Sequence, residues 1–268
     1  MKQYPADRIR NIGLFAHGGA GKTSLTEACL FTSKTTTRLG KVEEGNTVTD
    51  YDPDEIKRHI SVSAAVAPLE WKDTKINIID APGYADFIGE VRSALRVADA
   101  AVILMDASAG VEVGTEQAWR QAEERGLPRV LFINKMDRDN ADFAAALASA
   151  RAAFGNALAP IQFPIGAERT FRGVVDLLKE QAHTYQTNGS GAFDSSGIPD
   201  ELADDKETYR QQLVEALADQ DESLMMRYLE EEEISVEELK AALRAATISG
   251  RLVPILTGSS LKNKGVQL

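Results

Sequence analysis

The feature that most narrows what this chain can fold into is a break in an apolar run. Ile9 to Ala16 reads as a strand. It gives way at once to His17-Gly18-Gly19-Ala20-Gly21 and then to Lys22-Thr23-Ser24, which head a helical stretch reaching Ser33. Glycines at a strand end let the backbone turn tightly and leave N–H groups uncovered, and the helix behind them adds partial positive charge at its N-terminus. Together these make a cradle for phosphate, where Lys22 can reach β and γ phosphates and the Thr23 hydroxyl can ligate magnesium. Ala16 stands where the strict pattern has its first glycine, so the strand before the loop and the helix after it carry the reading.

A strand feeding a helix in this way belongs in a mostly parallel sheet with helices on its faces, and the remaining chain repeats the alternation. Further strands are expected at Ser61 to Leu69, Lys75 to Ile79, Ala100 to Met105, Arg129 to Ile133 and Leu252 to Leu256. Helices are expected at Tyr84 to Val97, Val113 to Glu124 and Asp142 to Phe154, with Gly155 as a stop. The fold class is therefore α/β, a P-loop domain around a central parallel sheet. Two stretches stand outside the alternation. Thr35 to Ile60 is polar, without periodicity, and reads as a long functional loop. Residues 160–250 open with strand-like residues, turn at Asn188 to Gly191 and continue as acidic helices, which suggests an inserted α+β subdomain. The expected division is 1–159, 160–250 and 251–268. Lys262 to Leu268 looks like the opening of a helix that stops at once, as in a piece of a longer protein.

Charge follows the same division. The 268 residues carry a formal charge of −11, yet Glu180 to Gly250 alone holds 17 acidic and 5 basic residues. The rest is balanced, so a near-neutral face remains that could meet RNA phosphates. No apolar run is long enough to span a bilayer, and the first residues lack a secretory core. A single cysteine, Cys29, rules out an internal disulfide and a multi-cysteine zinc site. These features point to a soluble cytoplasmic protein with no membrane partner.

Which nucleotide the cradle would take is decided by Asn134-Lys135-Met136-Asp137, just beyond a strand end, where ligands of parallel sheets bind. A carboxylate at Asp137 can accept hydrogen bonds from the N1 and N2 donors of guanine, whereas adenine offers no such pair. Asp80-Ala81-Pro82-Gly83 ends another strand and places an aspartate to act on magnesium through water, with Gly83 able to approach a γ-phosphate closely. An ordinary strand-ending turn would also favour Pro and Gly. Three such motifs in order on matching elements argue for a guanine-nucleotide site and against an ATP-dependent P-loop enzyme.

With these residues in hand, the chain resembles the GTP-binding domain of translational GTPases, and most closely that of elongation factor G. The resemblance runs from Ile9 to Leu268 and includes Asp80 to Phe87, Asp106 to Glu112 and Asn134 to Arg138. In the insertion it is carried by Pro164 to Glu168, Phe171-Arg172-Gly173 and Glu232-Glu233-Ile234-Ser235, and near the end by Thr257 to Val266. It implies GTP and GDP as ligands, Mg2+ held by Thr23, Ser61 and Asp80, and backbone contacts to the base around Ser259, Ser260 and Leu261. It also implies hydrolysis with Lys22, Gly83 and Tyr84 as the catalytic group. The implied partners are ribosomal, namely large-subunit RNA and the stalk protein, with no DNA partner, a monomeric state and further domains after Leu268.

Departures from the family fall close together. Ser61 takes the place of a magnesium-binding threonine, and its hydroxyl can make the same bond. Tyr84 replaces the histidine that orients the attacking water. A neutral phenol cannot become a cation near the transition state, so hydrolysis is expected to be slowed or differently organised. The other reading of Tyr84 is a packing residue, with water placed by backbone and RNA. Gly18 and Gly19 stand where the family has valine and aspartate, the first half of an apolar gate with Ile60 and the second implicated in holding a monovalent cation. Gly18 is expected to make room for Tyr84, with drift in a glycine loop as the alternative. In the acidic insertion, helical spacing favours a helix core for Met225, Met226 and Leu229 over a binding stripe.

Overall fold

The computed structural model describes residues 2–230, 232 and 234–268. Glu233, one of the residues carrying the resemblance in the insertion, lies outside them. A seven-stranded sheet is built from β1 (Ile9–Ala16), β2 (Ala65–Trp71), β3 (Thr74–Asp80), β4 (Ala100–Asp106), β5 (Arg129–Asn134), β6 (Leu158–Pro160) and β11 (Val253–Thr257), in the order β2-β3-β1-β4-β5-β11-β6. All neighbours run parallel except the β2–β3 hairpin. Strands buried on both faces read as continuous apolar runs, and in β4 Ala101, Ile103, Leu104 and Met105 are all inaccessible.

Helices α1 (Lys22–Thr32), α3 (Ile88–Val97), α4 (Val113–Glu124) and α5 (Phe143–Phe154) cover the sheet. Their ends follow local chemistry. Asp142 caps α5 through the Ala145 N–H and Gly155 closes it, while Glu112 and Thr115 form a reciprocal box at the start of α4.

Several expected boundaries move. The strand expected from Ser61 starts at Ala65, which leaves Ser61 in a loop free to turn toward the sheet edge. The helix expected from Tyr84 starts at Ile88, because Tyr84 is extended (φ −93°, ψ 142°) and a single 3-10 turn, Ala85–Phe87, intervenes. Thr35 to Ile60 is not all loop. It contains a 3-10 turn at Val42–Glu44 and α2 (Pro53–Arg58), which Asp52 and Glu55 cap reciprocally with Pro53 at the first helical position. The short strand β6 has no sequence signature of its own, and Pro160 is tolerated there because β6 forms the sheet edge. Residues 258–268 form a bridged turn rather than the opening of a helix, with Asn263 (φ 52°) and Gly265 (φ 82°) in left-handed backbone.

The insertion supplies a second, antiparallel sheet, ordered β10-β9-β8-β7, from β7 (Gln162–Ile165), β8 (Gly173–Asp176), β9 (Gln181–Tyr185) and β10 (Phe193–Ser196). It is followed by α6 (Ala203–Ala218), α7 (Glu222–Leu229) and α8 (Val236–Ile248). Phe163, Val174, Leu213 and Leu239 share one buried cluster with Ile133, Leu147 and Ile255. Tyr209 of α6 meets Phe143 of α5 edge-on, with ring centroids 5.6 Å apart. The insertion thus packs its apolar face directly onto the α5 side of the main sheet. The core assigned to Met226 and Leu229 is corrected, since both are largely exposed, while Leu224 is the inward residue of α7 and Met225 is half-buried. Spacing alone could not tell the two faces of so short a helix apart.

Candidate functional site

Because β1, β3, β4, β5 and β11 are parallel, their carboxyl ends lie along one edge, and the loops after them enclose a cavity of about 410 Å³. Its wall joins Lys22, Ser61 and Tyr84 to Asn134, Asp137 and Leu261, residues expected at opposite ends of a nucleotide. Gly18, Gly19, Gly21, Thr23, Ser24, Gly83 and Lys135 also face it. Other expected residues lie outside this wall: Ala16, Ala20, Asp80, Ser259 and Ser260 are buried, and His17 turns aside, its Nδ1 accepting from the Gly114 N–H at 3.3 Å.

Asn134 ties the loops together. Its Nδ2 donates to the Ala20 carbonyl at 2.9 Å, and its Oδ1 accepts from the Ser260 N–H at 2.9 Å and the Ser260 hydroxyl at 2.8 Å. One buried amide thereby fixes the phosphate loop against the turn after β11. The Gly258 carbonyl accepts from the Met136 N–H at 3.1 Å, which locks the same two base-side loops a second time.

At the phosphate side, Lys22 is buried, with its Nζ 3.4 Å from the His17 carbonyl. Burial pulls its ammonium below the ordinary value, against the attraction of Asp80 and Asp50. A Cβ on residue 83 would run into the Lys22 ammonium and lie 2.8 Å from the Gly18 nitrogen, so only glycine lets the second loop approach this closely. The ring of Tyr84 stands over Gly18.

Thr23, Ser61 and Asp80 come together although they are distant in sequence. The Thr23 and Ser61 hydroxyls are 3.2 Å apart, and Ser61 also donates to Asp50 Oδ1 at 2.7 Å. Asp80 Oδ2 accepts from the Thr49 hydroxyl at 2.9 Å, while its Oδ1 is buried with no hydrogen-bond partner among the described residues. Burial pushes the Asp80 carboxyl up to about 6, opposed by Lys22 and by the Thr23 and Thr49 hydroxyls. Hard oxygen donors with one carboxylate oxygen unsatisfied suit Mg2+, which takes one or two protein carboxylates and completes its shell with phosphates and water.

Several residues that matter to this geometry were given no role by the sequence reading. Glu27 is buried in α1 and accepts from the Gly40 N–H at 3.0 Å and the Val48 N–H at 2.6 Å, pinning both arms of the long loop. Glu55 does the same further on, through the Val62 and Ser63 N–H groups. Asp106, at the carboxyl end of β4, accepts from Lys135 Nζ at 3.0 Å and Arg138 Nη1 at 2.7 Å. Burial works against its charge, but the Ser108 and Lys135 donors outweigh burial and hold the carboxyl below its ordinary range. Asp106 was recognisable from its strand-end position, whereas Glu27 and Asp50 carry no local signal, since their partners are set by how the loop folds back.

Comparison with known proteins agrees with this geometry. Residues 7–268 match the family model described as the elongation factor Tu GTP binding domain. A crystal structure from Thermus thermophilus superposes with a TM-score of 0.89 at 39% identity, covering 97% of this chain and 38% of that one. The chain therefore spans well under half the length of that relative.

Proposed function

Because the chain belongs to the elongation factor Tu-type GTP-binding domains of translational GTPases, we propose that its cavity binds GTP and that it serves an elongation-factor-G-like factor on the ribosome. The observation that carries the assignment is the Asn134 junction, which sets the phosphate loop and the base loops around one cavity with Lys22 and Asp137 both in its wall. Lys22 and the N–H groups from Gly18 to Thr23 would offset phosphate charge. Asp137 would accept from the guanine N1 and N2 donors, with Lys135 and the backbone of Ser259 to Leu261 completing the base site.

Bound Mg2+ would supply positive charge to offset the charge of the nucleotide's phosphates. On the protein side, Thr23, Ser61 and Asp80 would hold that ion. Gly83 would approach the γ-phosphate, and Tyr84 would stand where the attacking water is oriented. Loss of the γ-phosphate would free the loops carrying Ser61 and Gly83, the order-to-disorder change through which such domains signal. By resemblance, the acidic insertion would meet the ribosomal stalk protein, and the balanced remainder would face large-subunit RNA.

Hydrolysis of GTP is general in this family. The position of Tyr84 over Gly18 favours a second reading, a GTP-gated ribosome-binding module that turns over slowly. Two measurements test the proposal. GTP should displace a fluorescent guanine nucleotide while ATP does not, and equal displacement by ATP would overturn the base assignment. Ribosome-stimulated hydrolysis, compared between the native protein and Tyr84→His at saturating GTP, separates the two readings. Strong stimulation of the native form supports an elongation-factor cycle, and stimulation seen only with histidine supports the gated module.

A further inference from the structure

Behind the base loop lies a hydrogen-bonded node that touches no part of the cavity. Asn263 is fully buried in left-handed backbone. Its Nδ2 donates to the Gly189 carbonyl at 3.4 Å, in the turn between β9 and β10 of the insertion. Its Oδ1 accepts from Gln267 Nε2 at 2.7 Å and from the Thr32 hydroxyl at 3.3 Å. Thr32 is the last residue of α1, the helix whose first turn carries Lys22 and Thr23. The Asn263 N–H donates to the Ser260 carbonyl at 3.1 Å, and Ser260 is the residue held by Asn134. Bonds therefore run without interruption from the insertion's turn, through the base loop, to the phosphate loop at Ala20.

A second strut runs beside the first. Lys264, also in the base loop, donates from Nζ to the Phe171 carbonyl of the insertion at 3.1 Å, and its backbone is paired with Ser259 in both directions.

We propose that the β9–β10 turn of the insertion holds the base loop in place through Asn263, so that the residence time of the bound nucleotide is set in part from outside the pocket. The proposal rests on the reading that the cavity holds a guanine nucleotide. A loop already ordered before the ligand arrives loses less conformational freedom on binding, and loosening it raises the dissociation rate more than it changes the association rate. Asn263 is in this sense a positioning residue, acting on the base through Ser260.

The turn itself provides a matched pair of variants. Gly189 and Gly191 both have left-handed backbone, at φ 73° and 75°, so alanine at either carries the same strain. A Cβ on residue 191 would strike the Gln267 side-chain amide and lie 2.6 Å from Asn263 Nδ2, whereas a Cβ on residue 189 meets nothing within 4 Å. The test is release of mant-GDP from the 268-residue chain, followed by stopped-flow fluorescence in Gly189→Ala, Gly191→Ala and Asn263→Gly. Glycine at 263 deletes the side chain without backbone strain and serves if Gly191→Ala does not fold. Release should quicken about fivefold or more in Gly191→Ala and Asn263→Gly, the lower end of usual coupling between sites, while the association rate and Gly189→Ala stay close to wild type. Equal rates in the two glycine variants, or an unchanged rate in Asn263→Gly, would overturn the proposal. Failure of the wild-type chain to bind mant-GDP would instead overturn the nucleotide reading, and this inference with it.

Discussion

The ring of Tyr84 fills the place where a side chain at position 18 would begin: a Cβ built on Gly18 falls 2.8 Å from Tyr84 Cζ and 2.9 Å from Cε1. Gly18 and Tyr84 therefore form one packing arrangement. A β-branched residue at 18 and the phenol at 84 cannot both keep their present positions.

Coupling between the two follows. Gly18→Val should displace Tyr84 and weaken GTP binding or hydrolysis on the order of tenfold, within the about 0.5–3 kcal/mol by which residues in contact couple. In a Tyr84→Ala background the same substitution should cost much less. A double-mutant cycle on GTP affinity measures this, and additive effects would show that the residues act independently.

Asn134 is the most exacting polar position in the site. Asn134→Ala would strand the Ala20 carbonyl and the Ser260 N–H and hydroxyl, all held by that one amide. Leaving a buried group unpaired costs about 1–3 kcal/mol, so the urea midpoint should fall markedly even without nucleotide. Asn134→Asp retains the acceptor for Ser260 but sets a buried carboxylate oxygen against the Ala20 carbonyl, so its midpoint should fall as well.

Glu27 predicts local rather than global loosening. Its carboxylate holds the Gly40 and Val48 N–H groups, and hydrogen bonds to a charged acceptor are worth about 1.5–3 kcal/mol. In Glu27→Ala, amide exchange should accelerate at Gly40 and Val48 while β4 and β5 remain protected. Uniform acceleration would mean that Glu27 supports the whole core instead.

In the insertion, Glu238 closes the capping box of α8 with Ser235 and also meets Arg227. The Ser235 hydroxyl and N–H, then Arg227, lower its carboxyl from 4.5 to about 2. Because the folded value lies below the ordinary one, the stability from this group is complete above pH 4.5 and is lost as the pH falls toward 2. Helix signal in the wild type should therefore decline over that window more steeply than in Glu238→Gln, and matching pH profiles would remove the cap from the account.

How much of the site was legible depended on how local each signal was. The phosphate loop could be read because its chemistry lies within one strand end, one turn and one helix start. Asp80 and Asp137 could be placed because each ends a recognisable apolar strand, and parallel strands bring their carboxyl ends to one edge. Ser61 was assigned through a family pattern. Its actual position depends on β2 starting only at Ala65, which leaves the serine free to reach the Thr23 hydroxyl. The inward face of α7 was misread because a helix of two turns has too few residues for periodicity to choose between Leu224 and Met226.

By itself, then, the sequence determined a parallel sheet with a phosphate cradle and a base motif in the right order, since those follow from short-range backbone geometry and the periodicity of apolar residues. Only the tertiary structure decided that Glu27 pins the long loop and that Asn263 joins the insertion to the base loop. The physical reason is that a buried polar group must find its partner wherever packing brings one, and packing joined Asn134 to Ser260 across 126 positions of chain.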